Sequence, residues 1–234
     1  MAQHTQLQAA DGHKFDAYIA QPTGEPKAGI VVLQEIFGVT AHIRSMADGF
    51  SQAGYLAIAP ALFDRVERNV ELTDAPESTR KGMHLAQQIK PDQALADIDA
   101  AIQYLREHGA HKVGVVGYCW GGTYAWLSNT RLHPDATVSY YPGRIADHLH
   151  EKPAVPAMFH FGLLDKNIPQ TLVEDLRKTH PQLPIFTYEA GHAFNNDTRA
   201  SYNETAAKQA RQRTLAHLDE HLVGRSHQGA AKTQ

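Results

Sequence analysis

The chain has 234 residues, 42% of them hydrophobic, and a formal net charge of −3 at pH 7. That balance gives no electrostatic footprint for nucleic acid or an anionic membrane surface, and no apolar run approaches the roughly 18 residues of a membrane span. The single cysteine, Cys119, excludes an internal disulfide and a cysteine-based zinc cluster.

The N-terminus, Met1–Gln6, lacks a charged segment followed by an apolar one, so it does not read as a signal peptide, and the expected location is cytoplasmic. Thr5–Ala9 and Lys14–Ala20 alternate in polarity around Asp11-Gly12, which predicts a hairpin. Gly29–Gln34 is an apolar run suited to a strand buried on both faces. Ile43–Ala53 reads as a helix stopped by Gly54, and Tyr55–Ala59 as a second buried strand ending at Pro60. Residues 64–90 are polar and mixed, with a helix expected around Arg80–Gln88 and a role as a cap over a pocket. Pro91 opens a helix carrying Ala94, Leu95, Ile98, Ile102 and Leu105 at helical spacing. Lys112–Val116, Thr137–Tyr140, Val155–Phe161 and Ile185–Tyr188 read as further strands. Pro169–Lys178 and Glu204–Leu222 read as helices. The alternation predicts an α/β fold: a mostly parallel central sheet with helices on both faces. One domain over residues 1–223 is expected, followed by a disordered tail over 224–234. Of the fifteen histidines, His217 and His221 stand four apart near the end of the C-terminal helix, and they read as solvated residues at a helix end rather than metal ligands. No metal and no organic cofactor are expected.

The most informative stretch is Gly117-Tyr118-Cys119-Trp120-Gly121-Gly122. An apolar run leads in and a helix-like segment leads out. Small residues two before and two after a nucleophilic side chain are what a strained strand-to-helix turn requires, because anything larger would collide with the neighbouring backbone. In a mostly parallel sheet, functional side chains gather at the carboxyl ends of strands. Cys119, Asp165 in Gly162-Leu163-Leu164-Asp165, and His192 in Gly191-His192-Ala193-Phe194 each follow such a run. Their order along the chain is that of α/β-hydrolase triads. The chemistry needs these types: an imidazole takes the thiol proton, and a carboxylate fixes the imidazole tautomer and stabilises the imidazolium. His160 reads as a buried supporting residue rather than a catalyst.

The chain resembles the dienelactone hydrolase family, the carboxymethylenebutenolidase-like branch of the α/β-hydrolase fold. The resemblance rests on Gln34-Glu35-Ile36-Phe37-Gly38-Val39, Gly114–Gly122, Phe159–Asp165 and Gly191–Phe194, and it runs from about Asp11 to Leu222. It implies a cysteine-nucleophile hydrolase of small esters or lactones working through a thioester. The implied triad is Cys119, His192 and Asp165. The backbone N–H groups of Ile36 and Trp120 are the implied oxyanion hole. Glu35 is implied beside the thiol, taking part in control of its proton, and Phe37 and Phe194 as apolar pocket wall. Family members that hydrolyse dienelactone hold its carboxylate with two arginines. One lies four residues after the histidine, where this chain has Asn196; the other falls near Arg80. The missing arginine points to a neutral or differently shaped ester or lactone, with Asn196 and Arg80 as substrate-binding candidates. The competing readings are a non-catalytic ligand-binding protein of the same fold and a thiol redox sensor using Cys119. The sequence assigns no oligomeric state.

Overall fold

The computed structural model describes residues 2–224, and its N-terminal hairpin pairs β1 (Ala2–Gln8) with β2 (Lys14–Ala20) around Gly12, whose φ of 87° suits the turn. The tail expected beyond Gly224 lies outside the described residues. Next come β3 (Gly29–Leu33), α1 (Ala41–Gln52), β4 (Leu56–Pro60), α2 (Pro76–Gln87), α3 (Pro91–Glu107), β5 (Val113–Tyr118) and α4 (Trp120–Arg131). The described chain closes with β6 (Ala136–Tyr140), β7 (Ala157–Gly162), α5 (Gln170–Thr179), β8 (Ile185–Tyr188), α6 (Glu204–Leu218) and a π-helical turn, Asp219–Val223.

The strands form one sheet in the order β1-β2-β4-β3-β5-β6-β7-β8. β2 runs antiparallel to both neighbours, and all pairs from β4 to β8 are parallel. This is the α/β-hydrolase arrangement. Its strands are buried on both faces: every residue of β3, β4 and β5 is buried. Alternation sorts their side chains between two cores. Ile30 and Val32 pack with Ile43, Ala47 and Phe50 of α1 and Ala206, Ala210 and Leu218 of α6. Val31 and Leu33 pack with Leu95, Ile98, Ile102 and Leu105 of α3 and Ala125 and Leu127 of α4.

The sheet reverses direction of growth at β3: the chain goes from β3 to β4 on one side, then returns to lay β5 on the other. Loops leaving the carboxyl ends of β3 and β5 therefore diverge, and a crevice opens between them. The segments after these two strands carry Glu35-Ile36-Phe37 and Cys119.

Two local expectations are corrected. The helix expected at Arg80–Gln88 begins four residues earlier, at Pro76, because proline is suited to the first helical turn. His217 is buried at 5% exposure, not solvated. It continues the stripe Ala206, Ala207, Ala210, Thr214 with which α6 lies against the sheet. Desolvation, reinforced by the nearby His221, lowers His217 to about 4. No helix among the described residues is long and apolar enough to cross a membrane.

Candidate active site

Cys119 joins β5 to α4 with φ 56° and ψ −118°, a region that L residues adopt only where surrounding structure enforces it. The enforcement is visible in the glycines around it. A Cβ on Gly117 would stand 1.9 Å from the Gly121 carbonyl oxygen, and one on Gly121 would stand 2.4 Å from the Gln34 carbonyl oxygen. The turn is thus closed so tightly that only hydrogen fits, and Cys119 is lifted to the crevice floor.

His192 reaches Cys119 from the loop after β8, with Nε2 3.2 Å from Sγ. On its other side Nδ1 lies 2.7 Å from Asp165 Oδ2. The second oxygen of Asp165, Oδ1, accepts from the backbone N–H groups of Asn167 at 2.7 Å and Ile168 at 3.2 Å. These bonds fix the carboxylate and leave Oδ2 for the imidazole. Burial disfavours a charged His192, yet hydrogen bonds with Asp165 and Cys119, and their charges, outweigh it and raise the group to about 10. The Tyr141 ring stands 5.2 Å from the His192 ring and supports its orientation.

The sulfur faces a cavity of about 410 Å3 whose wall includes Glu35, Ile36, Phe37, Trp120 and Ala193. Trp120 is the first residue of α4, so its N–H has no intrahelical acceptor, and neither it nor the Ile36 N–H donates a hydrogen bond among the described residues. Two unpaired amides beside a nucleophile are the requirement for holding a developing oxyanion. Glu35 is only 1% exposed. Its Oε2 accepts from Asn196 Nδ2 at 3.0 Å. The Asn196 orientation follows from its other end, where Oδ1 accepts from the Thr198 N–H at 3.0 Å and the Thr198 hydroxyl at 2.7 Å. Among the described residues Glu35 has no cationic partner.

The structure thus brings together Cys119, His192, Asp165, Glu35, Ile36, Trp120 and Phe37. Three substrate-binding candidates are placed differently. Asn196 does not line the catalytic cavity; it holds Glu35 and faces a second, polar cavity of about 300 Å3. Phe194 is fully buried beneath the site, 5.2 Å from the rings of both Tyr141 and Tyr188, because the loop turns the side chain after Ala193 into the sheet. Arg80 is exposed on α2 and is absent from the cavity wall; Thr79, Met83, Ala86 and Gln87 of that helix face inward instead. This inward face lets residues 64–90 cover the site in part.

Two arginines that the sequence reading did not select line the catalytic cavity, Arg144 and Arg199. The Arg144 guanidinium has no hydrogen-bond or ion-pair partner among the described residues. Arg199 lies over the Phe37 ring, 5.1 Å from its centroid, and is 3.6 Å from Asp74. Arg144 follows the carboxyl end of β6, which is the signal that could have found it. Arg199 stands three residues beyond the expected position, and only the fold of its loop shows that the displacement keeps it in the site.

The chain matches the dienelactone hydrolase family over residues 15–222. It belongs to that family. It is 34% identical over 221 residues to a carboxymethylenebutenolidase of Pseudomonas putida, covering 91% of this chain and 94% of the relative. A second relative, carboxymethylenebutenolidase 1 of Cupriavidus pinatubonensis, is 29% identical over 218 residues, covering 90% and 93%. Among solved structures, a protein of Klebsiella pneumoniae placed with the dienelactone hydrolases superposes with a TM-score of 0.81 at 33% identity, covering 94% of this chain and 99% of that one. This member of the family is an enzyme, a hydrolase of the carboxylic ester and lactone class.

Proposed function

We propose that this chain hydrolyses a small ester or lactone bearing an anionic group, with Cys119 as nucleophile and a thioester intermediate. The observation that carries the reading is the unbroken chain from Sγ to His192 to Asp165, which opens on an arginine-bearing cavity. His192 takes the thiol proton, and the sulfur attacks the carbonyl carbon. The Ile36 and Trp120 amides hold the oxyanion. The His192 imidazolium then protonates the leaving oxygen, and the neutral imidazole activates water to cleave the thioester. Asp165 keeps the imidazole oriented throughout. Glu35, on the same cavity wall, takes part in control of the thiol proton.

The arginines revise the expected substrate. Asn196 supplies no cation, but Arg144 and Arg199 do, and a guanidinium with unused donors is suited to a carboxylate. The test compares a carboxylate-bearing lactone with a neutral aryl ester, using wild type, Cys119→Ala, Arg144→Ala and Arg199→Ala. Cys119→Ala abolishes both activities. Each arginine variant raises KM for the anion by roughly tenfold or more and leaves the neutral ester nearly unchanged. Equal activity of Cys119→Ala and wild type removes the nucleophile from the mechanism. Equal effects of the arginine variants on both substrates remove the anion subsite.

A further inference from the structure

Acyl transfer to a cysteine divides the substrate in two. The acid half stays on the sulfur, and the alcohol half departs past the group that protonates its oxygen. That group is His192, on the loop after β8, and the same loop carries Arg199. The alcohol half therefore lies toward Arg199, and the acid half extends the other way. The two arginines of the catalytic cavity are separated along this direction. Arg199 also lines the polar cavity of about 300 Å3 beside Glu35 and Asn196, and Arg144 does not. Arg144 instead lines a third cavity, of about 260 Å3, whose wall lacks Arg199 and His192 but shares Trp120, Ala86 and Gln87 with the catalytic one.

The third cavity runs along α4. Trp120, Tyr124 and Leu127, at helical spacing, form one wall, and Ile89 and Pro91 at the junction of α2 and α3 form another. The Trp120 and Tyr124 ring centroids stand 4.9 Å apart, so the cavity begins beside the residue whose amide holds the oxyanion. The Thr123 hydroxyl accepts from the Arg144 backbone N–H at 3.2 Å and ties the loop after β6 to α4. Two donors on this wall are free. The Arg144 guanidinium is one. The other is the Tyr124 hydroxyl, which makes no hydrogen bond among the described residues although Tyr124 is only 5% exposed. Burial raises Tyr124 to about 12 against the charges of Arg131 and Arg144, so the phenol remains a donor at neutral pH. Arg131 itself is held by Glu151 at 2.6 Å. Asp147 also lines the cavity, but it is exposed and bonds neither donor. A guanidinium and a phenol on one wall suit a carboxylate. Tyr124 lies four residues beyond Trp120, about 6 Å of helix rise, and long helical side chains lean back toward the N-terminus. A spacer of about two to four carbons spans that distance from the scissile carbonyl.

We propose that Arg144 and Tyr124 form a carboxylate subsite for the acid half of the substrate while Arg199 serves the alcohol half, and that the preferred open-chain substrate is a monoester of a short dicarboxylic acid. The inference rests on the hydrolytic reading of Cys119 and His192 given above. Arg199 is already engaged by Asp74 at 3.6 Å and by the Phe37 ring, so a carboxylate on the acid half meets the freer donors. A lactone joins both halves in one ring and brings its carboxylate within reach of both arginines. An open ester separates the two.

The test follows two pairs of aryl esters with the full-length wild type, Arg144→Ala, Tyr124→Phe, Arg199→Ala and Cys119→Ala. Mono(4-nitrophenyl) adipate carries its charge on the acid half, and 4-nitrophenyl hexanoate is its neutral match. 4-Carboxyphenyl acetate carries its charge on the alcohol half, and phenyl acetate is its match. The readout is the ratio of kcat/KM within each pair, which cancels general damage from a substitution. The adipate-to-hexanoate ratio is expected to fall roughly tenfold in Arg144→Ala and roughly threefold in Tyr124→Phe, while the ratio for the acetate pair holds. Arg199→Ala should do the reverse. An adipate ratio that neither Arg144→Ala nor Tyr124→Phe lowers overturns the proposal, and so does an Arg144→Ala effect of equal size on both ratios. An adipate ratio lowered by Arg144→Ala alone removes Tyr124 from the subsite and overturns the proposal in that part. Wild-type rates in Cys119→Ala, whatever the ratios, sink the hydrolytic reading instead.

Discussion

Replacing Asp165 with asparagine changes one oxygen to an amide nitrogen, and the structure dictates which one. Oδ1 is committed to the N–H groups of Asn167 and Ile168 at 2.7 and 3.2 Å, and an amide NH2 cannot accept from them. The asparagine oxygen therefore stays in that turn, and the NH2 points at His192 Nδ1, 2.7 Å away in the wild type. His192 must then accept at Nδ1 and carry its proton on Nε2, facing the sulfur it is meant to deprotonate. It also loses the carboxylate that opposes burial in raising it to about 10. Both effects act together, and the expected loss is roughly 1,000- to 10,000-fold in kcat at neutral pH. Two assays read it: steady-state hydrolysis of an aryl ester, and the rate at which iodoacetamide alkylates Cys119, which reports thiolate without turnover. Asp165→Asn should slow both while leaving far-UV circular dichroism unchanged. A loss under tenfold, or an unaltered alkylation rate across pH 6–9, would refute the tautomer argument.

Gly82→Ala on α2 would place a Cβ 1.9 Å from the Ile36 carbonyl oxygen, so helix and loop must part by about 1.5 Å to reach ordinary contact. Because an oxyanion donor works only over a few tenths of an ångström, kcat should fall roughly 10- to 100-fold in a protein with nearly wild-type melting temperature, and unchanged kcat would mean that α2 yields instead of the loop. Gly117→Ala meets the Gly121 backbone at 1.9 Å and should fail to accumulate as folded protein at all, which expression and limited proteolysis would show. Acid stability follows from two histidines buried neutral, His160 lowered to about 3 by desolvation and by Arg213 and His217, and His217 lowered to about 4 by desolvation and by His221. Their folded values lie below the unfolded one, so unfolding takes up protons between about pH 4 and 6.5, and stability is lost there as pH is lowered, by up to about 3 kcal/mol per unit. Urea titrations from pH 4.5 to 7 test this, and His160→Gln should roughly halve the slope. His192 has the opposite sign: its raised value gives stability that is complete below about pH 6.5 and is lost as pH rises through about 10, so the high-pH decline in melting temperature should be shallower in Asp165→Asn.

Local rules wrote much of this protein into its sequence. The strands of the central sheet are continuous apolar runs because both faces are covered, and that pattern survives without any partner in view. The turn at Cys119 was legible because its strain leaves a compositional mark: Gly117 and Gly121 must be glycine for steric reasons local to the turn. Strand ends also marked Asp165 and His192, since a parallel sheet delivers all its carboxyl ends to one edge. What the sequence left open depends on contacts between distant segments. Asn196 serves Glu35 across 161 positions, a pairing that no local pattern encodes. Arg80 looked like a cavity residue by its place in the chain, but the start of α2 at Pro76 turns it outward and Thr79 and Met83 inward. Arg144 and Arg199 enter the cavity from loops after β6 and β8, and His217 is buried by a face of α6 that reads as polar. The sequence by itself determined the strained turn at Cys119, the order of Cys119, Asp165 and His192 along the chain, and the sheet that aligns them, because steric and hydrophobic demands act residue by residue. Only the tertiary structure decided which arginines line the cavity and which amide holds Glu35, because those identities depend on how loops far apart in the chain close over one crevice.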